Sequence, residues 1–321
     1  MANCTNEECA APDAPCHENY GELKKCPHWK AVGEKIKAIA DTKATKTGKK
    51  GVVDWGGSSL TTDDLGQITI RNSPFSVGIV GKANSGKTTF LAMLFTLLQK
   101  GKKFKDYNFA GSRTLLGWDL LYHHFKVHQG NIQFPDPTPT ELLRLYHLSL
   151  KDTRNHLHDL LIYEASGETF YHWSKNFDDE NAKNARLIYK RANAFALFID
   201  CDDLVHRKGL AKAEIIAIAE MLRHDLRNRP LIVVWSKADR KSEIHTNIVS
   251  SLSGELETMF PGMEEIQISN LSSSDPDDLV HKNNIYVVDW LLEKLNSPAG
   301  FQIKDLNPTQ NDIFLNFRYH D

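Results

Sequence analysis

Apolar residues fall along the central part of this chain in short runs separated by longer stretches of helical period. Apolar runs at 75–80, 145–150, 157–163, 194–199, 231–235 and 265–268 are of strand length. Between or after them, apolar positions recur at helical spacing over 88–99, 182–191, 210–226 and 286–295, with a further helix expected over 114–129. Near-continuous apolar strands followed by amphipathic helices predict a mainly parallel sheet covered on both faces. The fold class expected is therefore α/β, a three-layer sandwich whose ligands bind at the carboxyl ends of the strands.

Outside that region the pattern breaks down. Residues 24–50 hold nine lysines against Glu34 and Asp41, a local balance of 9−2=+7. The whole chain of 321 residues has 39 Lys+Arg and 41 Asp+Glu, a net charge of −2, so the rest carries −2−7=−9. This predicts a Cys-rich segment at 1–30, a Lys-rich linker at 31–51, a main domain at 52–295 and a C-terminal strap at 296–321. The linker reads as a solvated tether or as a surface for an acidic partner or nucleic acid. The near-neutral whole gives no argument for nucleic-acid binding. With 41% hydrophobic and 25% charged residues, the composition supports a real core. No apolar run approaches the ~18–20 residues of a membrane span. The amino terminus has neither a basic start nor a hydrophobic stretch, so a cytoplasmic protein without a membrane partner is expected.

Four of the five cysteines, Cys4, Cys9, Cys16 and Cys26, lie in the first 26 residues. Without an export signal, such a cluster points to metal ligation rather than disulfides. One structural Zn2+ on these four thiolates is expected, the alternative being unligated thiols in a tail. Cys201, at the end of an apolar run, reads as a small buried residue.

The first strand runs directly into Gly81-Lys82-Ala83-Asn84-Ser85-Gly86-Lys87-Thr88, a full match to G-x-x-x-x-G-K-[ST]. Glycines let the backbone turn so that its N–H groups, with those of Asn84, Ser85 and the helix start at Thr88 and Thr89, face phosphates. Lys87 is expected to bridge the β- and γ-phosphates and the Thr88 hydroxyl to ligate Mg2+. A second strand ends in Glu164-Ala165-Ser166-Gly167-Glu168. Here Glu164 would hold Mg2+ through a water, and the Gly167 N–H would sense the γ-phosphate. A third is followed by Ser236-Lys237-Ala238-Asp239, similar to [N/T]-K-x-D, in which the Asp reads guanine and the Lys stem covers the base.

Together these stretches resemble the translation-factor-related class of P-loop GTPases, and specifically the bacterial double-GTPase type 2 family. The likeness extends to 109–118, 194–200 and 233–239, and spans roughly 52–295. The resemblance implies a Ras-like P-loop NTPase sandwich, GTP/GDP and Mg2+ as ligands, and protein partners within a bacterial multi-gene conflict or defence system. Two positions depart from the family pattern: Glu164 stands where Asp is usual, and Ser236 where Asn or Thr is usual. Glu168 occupies the place of a water-orienting residue and is either catalytic or a solvent-exposed switch residue. In the Pro-rich stretch 131–140, Thr138, in preference to Thr140, is the candidate to close on Mg2+. Arg113 is the internal candidate for the charge-neutralising arginine, the alternative being an ion-paired structural role. A slow GTPase switch is the leading expectation. A nucleotide-holding scaffold and an ATPase on the same fold are the alternatives.

Overall fold

The computed structural model describes residues 3–4, 9, 15–30, 57–68, 73–124, 127–128, 131–132, 138–224, 226–271 and 276–296. All of the expected Lys-rich linker and nearly all of the expected strap lie outside the described residues. The chain divides into two compact units, Met1–Trp55 and Gly56–Asp321.

In the smaller unit, β1 (Asn3–Cys4) pairs antiparallel with β2 (Trp29–Lys30), Cys4 opposite Trp29. Between them, Cys16 and Cys26 are buried, with sulfurs 4.0 Å apart. The Cys9 sulfur accepts a hydrogen bond from the His17 N–H at 3.4 Å.

The larger unit is built on a seven-stranded sheet. Its strands are β3 (Phe75–Gly81), β4 (Tyr107–Gly111), β7 (Leu143–Asp152), β8 (Leu157–Ala165), β9 (Ala194–Asp200), β10 (Leu231–Ser236) and β11 (Glu264–Gln267). A separate small hairpin joins β5 (Val127–His128) to β6 (Asn131–Ile132). The sheet order is β11-β10-β9-β3-β8-β7-β4. The five strands from β11 to β8 are mutually parallel, while β7 and β4 continue the sheet antiparallel. All seven residues of β9 are buried, as befits a parallel strand covered on both faces.

The helices are α1 (Lys87–Gln99), α2 (Leu115–His124), α3 (Gly167–Lys175), α4 (Lys183–Arg191), α5 (Cys201–Arg207), α6 (Gly209–Arg223), α7 (Thr246–Met259) and α8 (Asn283–Asn296). Phe90, Leu94 and Phe95 of α1, Trp118 of α2 and Val287, Leu291 and Leu292 of α8 share one core with Val77, Ile79, Leu148, Ile162, Phe198 and Val234. Trp118 stacks on Phe95 at 5.7 Å and lies against Tyr146 at 4.8 Å. On the other face α3 and α4 pack on β3. This is the expected three-layer α/β sandwich. No described helix is long and apolar enough to cross a membrane.

Three elements differ from the sequence pattern. The strand expected at 145–150 is ten residues long and antiparallel, because Leu143–Asp152 forms a wide hairpin with β8 around the turn at Asn155 (φ 68°). The edge strand β4 escapes periodicity because only Tyr107 of its five residues is buried. The helix expected over 114–129 is described only to His124, with β5 following at Val127.

Candidate functional site

The carboxyl ends of β3, β8, β9 and β10 open into one cleft of about 570 Å³. Its walls are residues 83–89, Glu164–Glu168, Asp202, Ser236, Lys237, Asp239, Arg240 and 268–271, with Thr138 at the rim. The three motif segments, far apart in the chain, are therefore brought to a single place by parallel strand order. Gly81 does not line the cleft; its carbonyl supports the loop from behind.

Lys87 is buried, and its Nζ donates to the carbonyls of Gly81 (2.9 Å) and Lys82 (2.7 Å). Burial lowers its pKa to about 8, against the opposing pull of the Glu164 and Asp200 charges. Gly86, with φ 80°, lets the loop turn into α1. The Ser85 hydroxyl donates to the Lys82 carbonyl at 2.8 Å. Gly167 has a different necessity: a Cβ there would overlap Ala83 N and the Lys82 carbonyl carbon, so only glycine admits this approach to the phosphate loop.

Glu164 is buried at the end of β8. Its Oε1 accepts from the hydroxyls of Thr88 (2.7 Å) and Thr138 (3.4 Å), while Oε2 is buried with no hydrogen-bond partner among the described residues. Three hard oxygen donors and one orphaned carboxylate oxygen suit Mg2+, which prefers a few protein oxygens and retains waters. Glu168 is exposed; its backbone N–H is held by Ser166 Oγ (3.3 Å) and its Oε2 accepts from Thr140 Oγ1 (2.9 Å). Asn184 of α4 donates to the Thr140 carbonyl at 2.8 Å. Thr138 and Thr140 thus reach different carboxylates.

At the other end, Asp239 Oδ1 accepts a short hydrogen bond from Ser269 Oγ. The loop is stitched together by Ala238 N–H to Ile268 O (3.0 Å) and Ile268 N–H to Trp235 O (2.8 Å). Lys237, in the left-handed region (φ 51°), donates to Asp200 Oδ2 at 2.6 Å. Burial raises the pKa of Asp200, and the Lys237 bond and charge oppose it. The Ser236 hydroxyl is spent on the Ile199 carbonyl at 3.1 Å. Arg240 pairs with Asp202 and, at 2.7 Å, with Glu243.

Sequence reasoning missed Ser269, Asn270, Asp202 and Arg240. The run expected at 265–268 ends just before Ser269, but nothing local says that Ser269 reaches Asp239. Arg113, the internal candidate for the charge-neutralising arginine, is not among the residues that line the cleft. Its N–H donates to His147 Nδ1 (2.9 Å), and the neighbouring Ser112 hydroxyl holds the His147 carbonyl (2.5 Å), pinning this loop to β7. The four-cysteine zinc set is not seen as such. Among the described residues, no three His, Cys, Asp or Glu side chains form a metal-holding group, and the Cys4 side chain lies outside those described.

A protein-family model described as Double-GTPase 2 matches residues 76–292. No curated protein matches the chain. Among solved structures, the crystal structure of an SsGBP mutation variant is 15% identical, covering 73% of this chain and 61% of its own, with a TM-score of 0.39. The chain thus spans less than two thirds of that protein's length.

Proposed function

Because the chain belongs to the Double-GTPase 2 family, we propose that it binds GTP and GDP in this cleft, hydrolyses GTP slowly and acts as a nucleotide-dependent switch. The observation that carries the reading is the meeting, in one cleft, of buried Lys87, the Thr88–Glu164–Thr138 oxygen cluster and the Asp239–Ser269 pair. Phosphate, magnesium and guanine each have a chemically matched group there.

The phosphate-loop N–H groups and Lys87 hold the phosphates, and Gly167 sits against the loop where loss of the γ-phosphate is felt. Magnesium, when bound, neutralises charge on the β- and γ-phosphates; Thr88, Thr138 and Glu164 are the residues that would hold it. Asp239 accepts from the guanine N1–H and exocyclic amine, with Ser269 fixing its carboxylate and Lys237 covering the base. Glu168 orients the attacking water, but its negative charge beside the γ-phosphate makes turnover slow. The cations among the described lining residues are Lys87, Lys237 and Arg240, the last two at the base end. The charge-neutralising arginine therefore comes from a protein partner, consistent with the multi-subunit bacterial conflict system that the family resemblance implies.

In the smaller unit we propose a structural zinc on Cys4, Cys9, Cys16 and Cys26. The 4.0 Å sulfur separation of Cys16 and Cys26 is close to the ~3.8 Å edge of a tetrahedron with ~2.3 Å zinc–sulfur bonds.

Calorimetry with GTP, GDP and ATP in the presence of Mg2+, followed by single-turnover hydrolysis, tests the main reading. Guanine nucleotides should bind and ATP should bind much more weakly. Equal ATP affinity would make this an ATPase-type site, and binding without any turnover would make it a scaffold.

A further inference from the structure

We propose that Lys82 is a positioning residue that ties the phosphate loop to the α5–α6 elbow, so that these two helices set the phosphate affinity of the cleft. The inference rests on reading the cleft as a phosphate site.

Lys82 is the second residue of the loop, and its side chain turns away from the cleft walls. Its Nζ lies 2.6 Å from Asp203 Oδ2 of α5 and also pairs with Glu214 of α6. Arg207 closes the ring, with Nε 3.3 Å from Asp203 Oδ1 and a terminal nitrogen 2.5 Å from Glu214 Oε2. Two cations and two carboxylates therefore balance, and Lys82, Asp203 and Glu214 are only 15%, 22% and 22% exposed. Pairs this well shielded are screened less by salt than surface pairs.

The other half of Lys82 faces the chemistry. Its carbonyl accepts from Lys87 Nζ at 2.7 Å, from Ser85 Oγ at 2.8 Å and from Ser85 N at 3.4 Å. Gly167 also lies against its carbonyl carbon. One residue is thus gripped through its side chain by α5 and α6, while its backbone supports the lysine that meets phosphate.

The elbow is itself a built feature. Lys208, between the two helices, has φ 49° and ψ −120°, a region that residues with a side chain rarely adopt. Its conformation is held by Lys208 N–H to Leu204 O and Lys212 N–H to Lys208 O, each 3.1 Å. Helix α6 also packs on α3, which begins at Gly167. The elbow therefore touches the phosphate loop through charge and the γ-phosphate sensor through packing.

The test turns on a sign. If Lys82 acted on phosphate directly, neutralising its acidic partners would release it toward the cleft and tighten GTP binding. If it acts through the tether, Asp203→Asn with Glu214→Gln should weaken GTP binding about tenfold, as expected for side chains coupled within one network. Lys82→Met should weaken binding by a similar factor, and the triple variant by no more than Lys82→Met alone. Melting temperature is followed in parallel, and Glu214→Gln alone serves if the double variant does not fold. Unchanged or tighter GTP binding by the acid variants, or effects that simply multiply in the triple variant, would overturn the proposal. Failure of the wild-type chain to bind GTP would instead overturn the phosphate-site reading beneath it.

Discussion

Lys87 offers a prediction that can be worked from the structure. Burial sets its pKa at about 8 in the nucleotide-free protein, with Glu164 and Asp200 the charges that hold it from falling further. Phosphate at its Nζ favours the ammonium, so nucleotide binding raises this pKa and takes up protons from solution. With a midpoint of about 8, uptake should be about 0.1 proton at pH 7 and about 0.5 at pH 8. Affinity is fully expressed below pH 8 and is lost as pH rises through it. Between pH 7 and 8.5 the apparent Kd should rise about fourfold, or about 0.8 kcal/mol. Isothermal calorimetry in two buffers of different protonation enthalpy reads the uptake directly. Glu164→Gln removes the larger opposing charge and should move the midpoint lower. A flat affinity with no proton uptake at pH 8 would refute the buried-lysine argument.

Asp239→Asn should cost GTP binding about 2–5 kcal/mol, the scale of a truncated buried charge pairing, and shift preference toward xanthosine triphosphate. Competition binding with both nucleotides reads the exchange. Glu168→Ala should slow single-turnover hydrolysis by about 10²–10⁴, the usual range for a positioned acid–base group, with GTP affinity little changed. An unaltered rate would remove Glu168 from the mechanism. Gly167→Ala should weaken discrimination between GTP and GDP, because its Cβ cannot coexist with the Ala83 backbone; comparing the two dissociation constants tests this. Elemental analysis should find about one zinc per chain, as a single four-cysteine site requires, and less in Cys16→Ser. Metal-free protein with its N-terminal segment still protected from protease would overturn the site.

The chemistry was legible in the chain wherever function depends on consecutive residues. A phosphate loop is a local backbone shape, so Gly81 to Thr88 announces itself. The same holds for the strand that feeds the loop and for the buried strands β9 and β10, whose unbroken apolar runs admit few other readings. Glu164 could be aligned by its Gly167 neighbour. Its pairing with Thr88 and its unpartnered Oε2 could not, because those depend on β3 and β8 lying side by side.

Tertiary structure decided the rest. Ser269 meets Asp239 only because β11 adds beside β10 and the Ile268 N–H ties to the Trp235 carbonyl. The backbone N–H of Arg113 bonds to His147 of β7, a contact that no spacing rule foresees. Lys82 stands at an x position of G-x-x-x-x-G-K-[ST], and only the fold brings Asp203 and Glu214, more than 120 residues on, to its side chain. Short-range patterns encode backbone shape and burial; contacts between distant segments follow from strand order, which no local window contains.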